Sequence, residues 1–155
     1  MNDQLDELYR DIIMDHYRTP RGKVAVEAPD VHNEGKNPSC GDEVEVNLKL
    51  SDGVVEKVGV ECIGCAISTA SGSILAELVE GRPIEDVKKI AEIVKALLTT
   101  DVDLPEDRDY GDLEALKGVK QFPVRIKCAL LAWVTMIEGI EAYERGEKTD
   151  AVTTE

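Results

Sequence analysis

The side chains in this chain most able to do chemistry are Cys40, Asp42, Cys62, Cys65, Arg125 and Cys128. Cys40, Cys65 and Cys128 can supply three thiolates and Asp42 one carboxylate, a donor set that tetrahedral zinc accepts. Gly41 lets the backbone bend so that Cys40 and Asp42 can both reach one ion. An oxygen among thiolates is the harder and more exchangeable ligand. Such a site can release one arm and react, where an all-thiolate site tends to be closed. Cys62-Ile63-Gly64-Cys65 spells CxxC, which admits two other readings. One is a structural zinc site using all four cysteines. The other is a dithiol redox centre, since thioredoxin-like sites also place CxxC at a helix start. The strand–helix–strand frame of such a redox centre is missing around it.

The elements that must position these residues are legible to different degrees. Val58, Val60 and Cys62 alternate with polar or small residues, the pattern of a strand with one buried face. Its parity makes Cys62 a core residue. After Gly64 the period changes, and Ile67, Ala70, Ile74, Leu75 and Leu78 recur at helical spacing until Gly81. Cys65 therefore stands at a strand-to-helix junction. Free backbone amides and the positive end of a helix dipole favour a thiolate over a thiol. Val44, Val46, Leu48 and Leu50 alternate with Glu43, Glu45, Asn47 and Lys49, which predicts a half-exposed antiparallel strand. Ser51-Asp52-Gly53 turns the chain into the returning strand Val54–Glu61. If strand geometry reaches back before Glu43, Cys40 and Asp42 share the face of Val44 and Val46.

Outside this hairpin, Asn2 or Asp3 can cap a first helix whose Leu5, Leu8, Tyr9, Ile12 and Ile13 form one stripe. It should end before Thr19-Pro20-Arg21-Gly22. Residues 23–36 hold at most a short strand near Val24–Glu27 or Val31–Asn33. Pro83 opens another helix, with Val87, Ile90, Ala91, Val94 and Leu98 inward. Residues 99–121 form a long acidic connection, with Leu113 and Leu116 marking one helical turn, and a connection of that length is either functional or disordered. The last helix runs from Phe122-Pro123 to about Arg145-Gly146 and places Arg125 one turn before Cys128. Residues 147–155 read as a frayed tail. His16, near Tyr17 in the first helix, reads as a packing or surface residue, and Ser71-Gly72-Ser73 as small residues that permit close helix packing. No Gly-rich phosphate loop, nucleophile elbow or His-Glu-x-x-His is present.

At 155 residues the chain is expected to form one domain, 1–155, with a core that needs no staples. Its formal net charge of −14 argues against nucleic acid or anionic membrane as partners. No apolar run approaches the length of a membrane span. The N-terminus, Met-Asn-Asp-Gln-Leu-Asp-Glu, lacks a signal-peptide pattern. A cytoplasmic location follows as the expectation, and reduced thiols there point to metal or sulfur chemistry.

Four motifs together resemble the IscU/NifU-N family of iron–sulfur cluster assembly proteins, and its SufU branch in particular. They are Leu8-Tyr9-Arg10-Asp11, Asn37-Pro38-Ser39-Cys40-Gly41-Asp42, Gly64-Cys65-Ala66-Ile67-Ser68 and Arg125-Ile126-Lys127-Cys128-Ala129. Lys127 stands where IscU-type proteins have histidine, and 62 residues (66–127) separate Cys65 from Cys128, longer than the IscU pattern. Both departures are SufU-like. The resemblance implies an α+β fold: a small antiparallel sheet of about three strands, with helices on one face. It implies a zinc site at Cys40, Asp42, Cys65 and Cys128, with Arg125 and Lys127 in support. It also implies a monomer that takes sulfur on Cys40 from the persulfide of a PLP-dependent cysteine desulfurase of the SufS type and passes it to downstream cluster-assembly proteins. The alternatives are a scaffold that carries the iron–sulfur cluster itself and, more remotely, a structural zinc protein. The family motif assigns Cys62 no role.

Overall fold

The computed structural model describes residues 3–107, 109–147 and 152–153. Helix α1 (Asp3–Arg18) is followed by strands β1 (Val31–Asn37), β2 (Asp42–Ser51) and β3 (Val54–Ile63). Helices α2 (Ala66–Val79) and α3 (Ile84–Thr99), a 3-10 segment (Gly111–Gln121), α4 (Pro123–Arg145) and the short β4 (Val152–Thr153) complete the order. The first three strands form an antiparallel meander, and β4 adds to β1 in parallel, so the sheet order is β3-β2-β1-β4. The α+β reading therefore holds, with a fourth strand drawn from the stretch expected to fray.

Alternation decides which sheet face is covered. Asp42, Val44, Val46 and Leu48 are buried, while Glu43 is exposed and Glu45 and Asn47 are half-exposed. On the buried face lie α2 and α4, both apolar around most of their circumference. The two helices meet over small residues, as read from Ser71-Gly72-Ser73. Ser71 Oγ donates to the Ala129 carbonyl at 2.6 Å and accepts from Trp133 Nε1 at 3.1 Å, which satisfies the indole in a fully buried place.

Four expectations about local structure need correction. Strand β1 spans seven residues, and its strict in–out alternation buries Val31, Asn33, Gly35 and Asn37. Polar and small residues at inward positions hide that pattern from a hydrophobicity reading. The connection 99–121 holds an eleven-residue 3-10 segment where one turn was expected. Its buried Leu113, Leu116 and Val119 recur every third residue, the period of a 3-10 helix and not of an α-helix. In α1, Tyr9 and Ile13 are buried and Ile12 is partly so, but Leu8 faces solvent. Finally, Cys40 lies outside β2, in the turn between β1 and β2. Asp42 does share the inward face of Val44 and Val46; Cys40 reaches the same place by another route. The capping residue Asn2 lies outside the described residues.

Candidate metal centre

Three chain segments converge at the end of the sheet where β1 passes into β2 and β3 passes into α2. Gly41 takes φ of 72°, a left-handed conformation that an L side chain resists, and this reversal carries Cys40 off the strand while Asp42 enters it. Asn37, the last residue of β1, pairs with Asp42 across the ladder, and its carbonyl accepts the Cys40 N–H at 3.2 Å. Cys65 is the N-cap of α2, its Sγ accepting the Ser68 N–H at 3.4 Å. Cys128 comes from the second turn of α4 and is fully buried.

The geometry brings the four expected ligands together in two tiers. Cys40, Asp42 and Cys128 offer ligand atoms that all lie within 4.8 Å of one another. Cys128 and Cys40 stand with their sulfurs 3.2 Å apart. Cys65 joins through Asp42: its Sγ is 3.8 Å from Oδ2, and its backbone N–H donates to Oδ1 at 2.8 Å. Burial pushes the Cys128 thiol well up, and hydrogen bonds with Cys40 and Asp42 push it further. A metal ion binding there would have to displace that proton. Three soft thiolates and one carboxylate converging on a half-buried point fit zinc by donor chemistry, and they also fit an iron–sulfur cluster.

Around this group, Arg125 reaches Cys40, with Nη1 3.7 Å from its Sγ. Its guanidinium is held charged by the neighbouring thiols, Cys128 first, then Cys65 and Cys40. Lys127 is exposed, one residue before Cys128. Cys62 is half-buried and packs against the core, as its strand parity requires. Burial raises its thiol. It stands apart from the group of mutually close ligand atoms.

His16 belongs to a second group of polar residues. Fully buried, it is bonded through Nδ1 to Ser73 Oγ and through Nε2 to Asp112 Oδ2, each at 2.7 Å. Ser73 Oγ also accepts the Arg21 N–H at 2.8 Å. With Ser73 donating to Nδ1 and Nε2–H donating to Asp112, every group is satisfied. This is the packing role expected of His16, and it ties α1, α2 and the 3-10 segment together. The sequence held no sign of the Asp112 and Ser73 partners, because neither lies within helical or strand reach of His16; Asn37 stands in the Cys40 motif, but its side-chain bond to Cys128 was not legible there.

The fold and this site define a class: a small α+β protein whose sheet end gathers three cysteines and an aspartate. The sequence matches the NifU-like N-terminal domain family over residues 8–129, and the chain belongs to that family. It is 39% identical to the zinc-dependent sulfurtransferase SufU of Bacillus subtilis, over 94% of this chain and 97% of that one. It is 33% identical to the iron–sulfur cluster assembly scaffold protein IscU of Thermotoga maritima, over 89% and 96%. Among solved structures, the N-terminal part of a nitrogen-fixing NifU-like protein from Brucella abortus superposes with a TM-score of 0.81 at 25% identity, covering 90% of this chain and 96% of that one. Among the described residues, no helix is long and apolar enough to cross a membrane.

Proposed function

We propose that this protein serves iron–sulfur cluster assembly as a zinc-dependent sulfur acceptor, with Cys40 the residue that takes sulfur from a cysteine desulfurase of the SufS type. The observation that carries this is the inequality of the two adjoining thiols. Cys128 is buried in a helix, whereas Cys40, its sulfur 3.2 Å away, sits half-exposed on a glycine-hinged turn. One thiol is an anchor and the other can be presented to a partner.

Cys40, Asp42, Cys65 and Cys128 would hold the zinc, which would keep the sulfurs deprotonated and shielded from oxidation. In the transfer, the Cys40 thiolate attacks the terminal sulfur of the partner's persulfide. A new S–S bond forms on Cys40, the partner's S–S bond breaks, and its cysteine leaves as a thiolate, with no net oxidation. Arg125 places positive charge beside the attacking sulfur. The segments that carry Cys65 and Cys128 also expose Ile63, Phe122 and Val124. Apolar side chains so close to the reactive group suit a protein partner better than a small polar substrate.

The test is to isolate the protein, measure its zinc, and follow alanine release by the cognate desulfurase. About one zinc per chain is expected from a single four-ligand site. The zinc form should accelerate the desulfurase and the metal-free form should not. Equal acceleration by both would sink the zinc-dependent relay. Anaerobic reconstitution with iron and sulfide addresses the scaffold reading: a visible-absorbing cluster that passes intact to an apo-protein would replace relay with scaffold.

A further inference from the structure

Asn37 touches three of the four candidate ligands without being one of them. It is fully buried. Its ladder partner is Asp42, its carbonyl holds the Cys40 N–H, and its side-chain Nδ2 donates to Cys128 Sγ at 3.5 Å. The other half of its amide, Oδ1, is buried with no hydrogen-bond partner. A buried carbonyl oxygen without a donor is destabilising, and a leucine of similar shape would avoid that penalty. The residue therefore carries a cost in fold stability, and what it offers in return is the N–H aimed at one particular sulfur.

We propose that Asn37 is a positioning residue that makes Cys128 the permanent arm of the metal centre and leaves Cys40 as the arm that reacts. The inference rests on the metal-centre reading above and adds to it the device that tells two neighbouring thiolates apart. An N–H donated to a thiolate draws charge from the sulfur. A metal-held sulfur with such a donor is a poorer nucleophile, and a buried donor fixes its orientation toward the metal. Cys128 has that donor and full burial. Cys40 is only half-buried, and its sulfur's N–H donor is the exposed Arg125 guanidinium at 3.7 Å, a long solvent-facing arm that can swing away when a partner docks; only its backbone is tied to Asn37. One buried amide thus fixes the place of Cys40 through its main chain and the inertness of Cys128 through its side chain.

The experiment compares the full chain with Asn37→Leu, using zinc ions alone as the metal and N-ethylmaleimide as the thiol probe. In the zinc-loaded wild type, peptide mapping should show Cys40 labelled well ahead of Cys128. In N37L the zinc affinity, read by chelator competition, should fall on the order of tenfold, as loss of a metal site's outer hydrogen bond does. Cys128 labelling should rise toward that of Cys40, and the sulfur-to-cobalt charge-transfer band of the cobalt-loaded protein should shift. The metal-free variant should melt no lower than the wild type, because an unpaired buried oxygen is gone. A merely structural role predicts the reverse, a lower melting point with affinity and labelling order unchanged, and that result overturns the proposal. If N37L lacks native circular dichroism, Asn37→Gln and Asn37→Met decide. Only glutamine keeps an amide donor long enough to reach the sulfur, so it should hold the wild-type labelling order while methionine loses it; identical behaviour of the two overturns the proposal. A wild type that binds zinc while N37L changes nothing sinks this inference alone. A wild type that binds no zinc sinks both this and the function it rests on.

Discussion

Asp42 grips Cys65 with both of its oxygens: Oδ1 accepts the Cys65 backbone N–H at 2.8 Å, and Oδ2 lies 3.8 Å from its Sγ. The first residue of β2 is thereby fastened to the N-cap of α2. A carboxylate that reads as a metal ligand also closes the free amide end of a helix, where negative charge is stabilising.

This double role separates two substitutions. Asp42→Asn keeps the acceptor for the Cys65 N–H and should fold normally while binding zinc much less tightly. Asp42→Ala should lose both, destabilising the metal-free protein by about 1–3 kcal/mol through the lost charge-assisted hydrogen bond. Zinc analysis and melting curves of the metal-free proteins measure the two effects separately. Equal melting points for the two variants would remove the helix-capping role.

Gly64 and Gly41 flank the site and should fail differently. A Cβ on Gly64 would stand 2.2 Å from Asp42 Oδ1 and 2.9 Å from its Cα, a clash with backbone that cannot relax locally. A Cβ on Gly41 meets nothing within 4 Å, so only its positive φ resists substitution. Gly41→Ala should cost about 1–2 kcal/mol with zinc retained. Gly64→Ala should displace Asp42 and lose zinc. Retained zinc in the Gly64 variant would mean that Asp42 does not hold the metal.

Cys62→Ala should leave zinc content unchanged and cost about 1 kcal/mol, the usual effect of a small core substitution. Cys62 is packed against the core with its thiol raised by burial, which suits an inert side chain. Zinc lost with Cys62→Ala but kept with Asp42→Ala would make the site all-cysteine.

The pH response of the metal-free protein follows from Cys128. Burial first, then its bonds to Cys40 and Asp42, raise its folded value above the ordinary 9.0. A raised value means the folded state holds the proton more tightly than the unfolded state does. That stability is complete below about pH 9 and is lost as pH climbs toward the folded value. The melting temperature should therefore decline above that pH, and Cys128→Ala should flatten the decline. An unchanged slope in the variant would assign the alkaline loss to other groups.

If the proposed relay docks electrostatically, the acidic segment 101–114 is the surface that would meet a basic face of the desulfurase. Some of its carboxylates have internal duties: Asp107 accepts the Tyr110 hydroxyl and Asp109 the Gly111 N–H, each at 2.7 Å. Asp103 pairs with Lys117, whose ammonium holds its carboxyl below the usual range. Neutralising Asp101 and Glu106 together, which leaves these bonds in place, therefore tests docking with the least damage to the loop. Association should slow and its salt dependence flatten, with zinc content intact. An unchanged on-rate and salt slope would assign the segment to solvent.

The linear chain by itself determined the elements whose burial obeys a simple period. The β2–β3 hairpin, the change of period that puts Cys65 at a helix start, and the Cys128 helix follow from hydrophobic spacing alone, and so do the donor types. Tertiary structure decided what spacing cannot encode. Strand β1 was legible only at its start, as one of two short candidates, because its inward positions include Asn33, Gly35 and Asn37, whose partners lie on α4: Asn33 Nδ2 donates to the Thr135 carbonyl, and Asn37 donates to Cys128. The 3-10 segment escaped because its buried residues repeat at three and not at 3.6. Cys40 and Cys128 are separated by 88 positions, and whether their sulfurs meet depends on the Gly41 reversal and on the docking of α4. A buried polar residue declares itself only through the partner that satisfies it, and that partner is chosen by packing between elements distant along the chain.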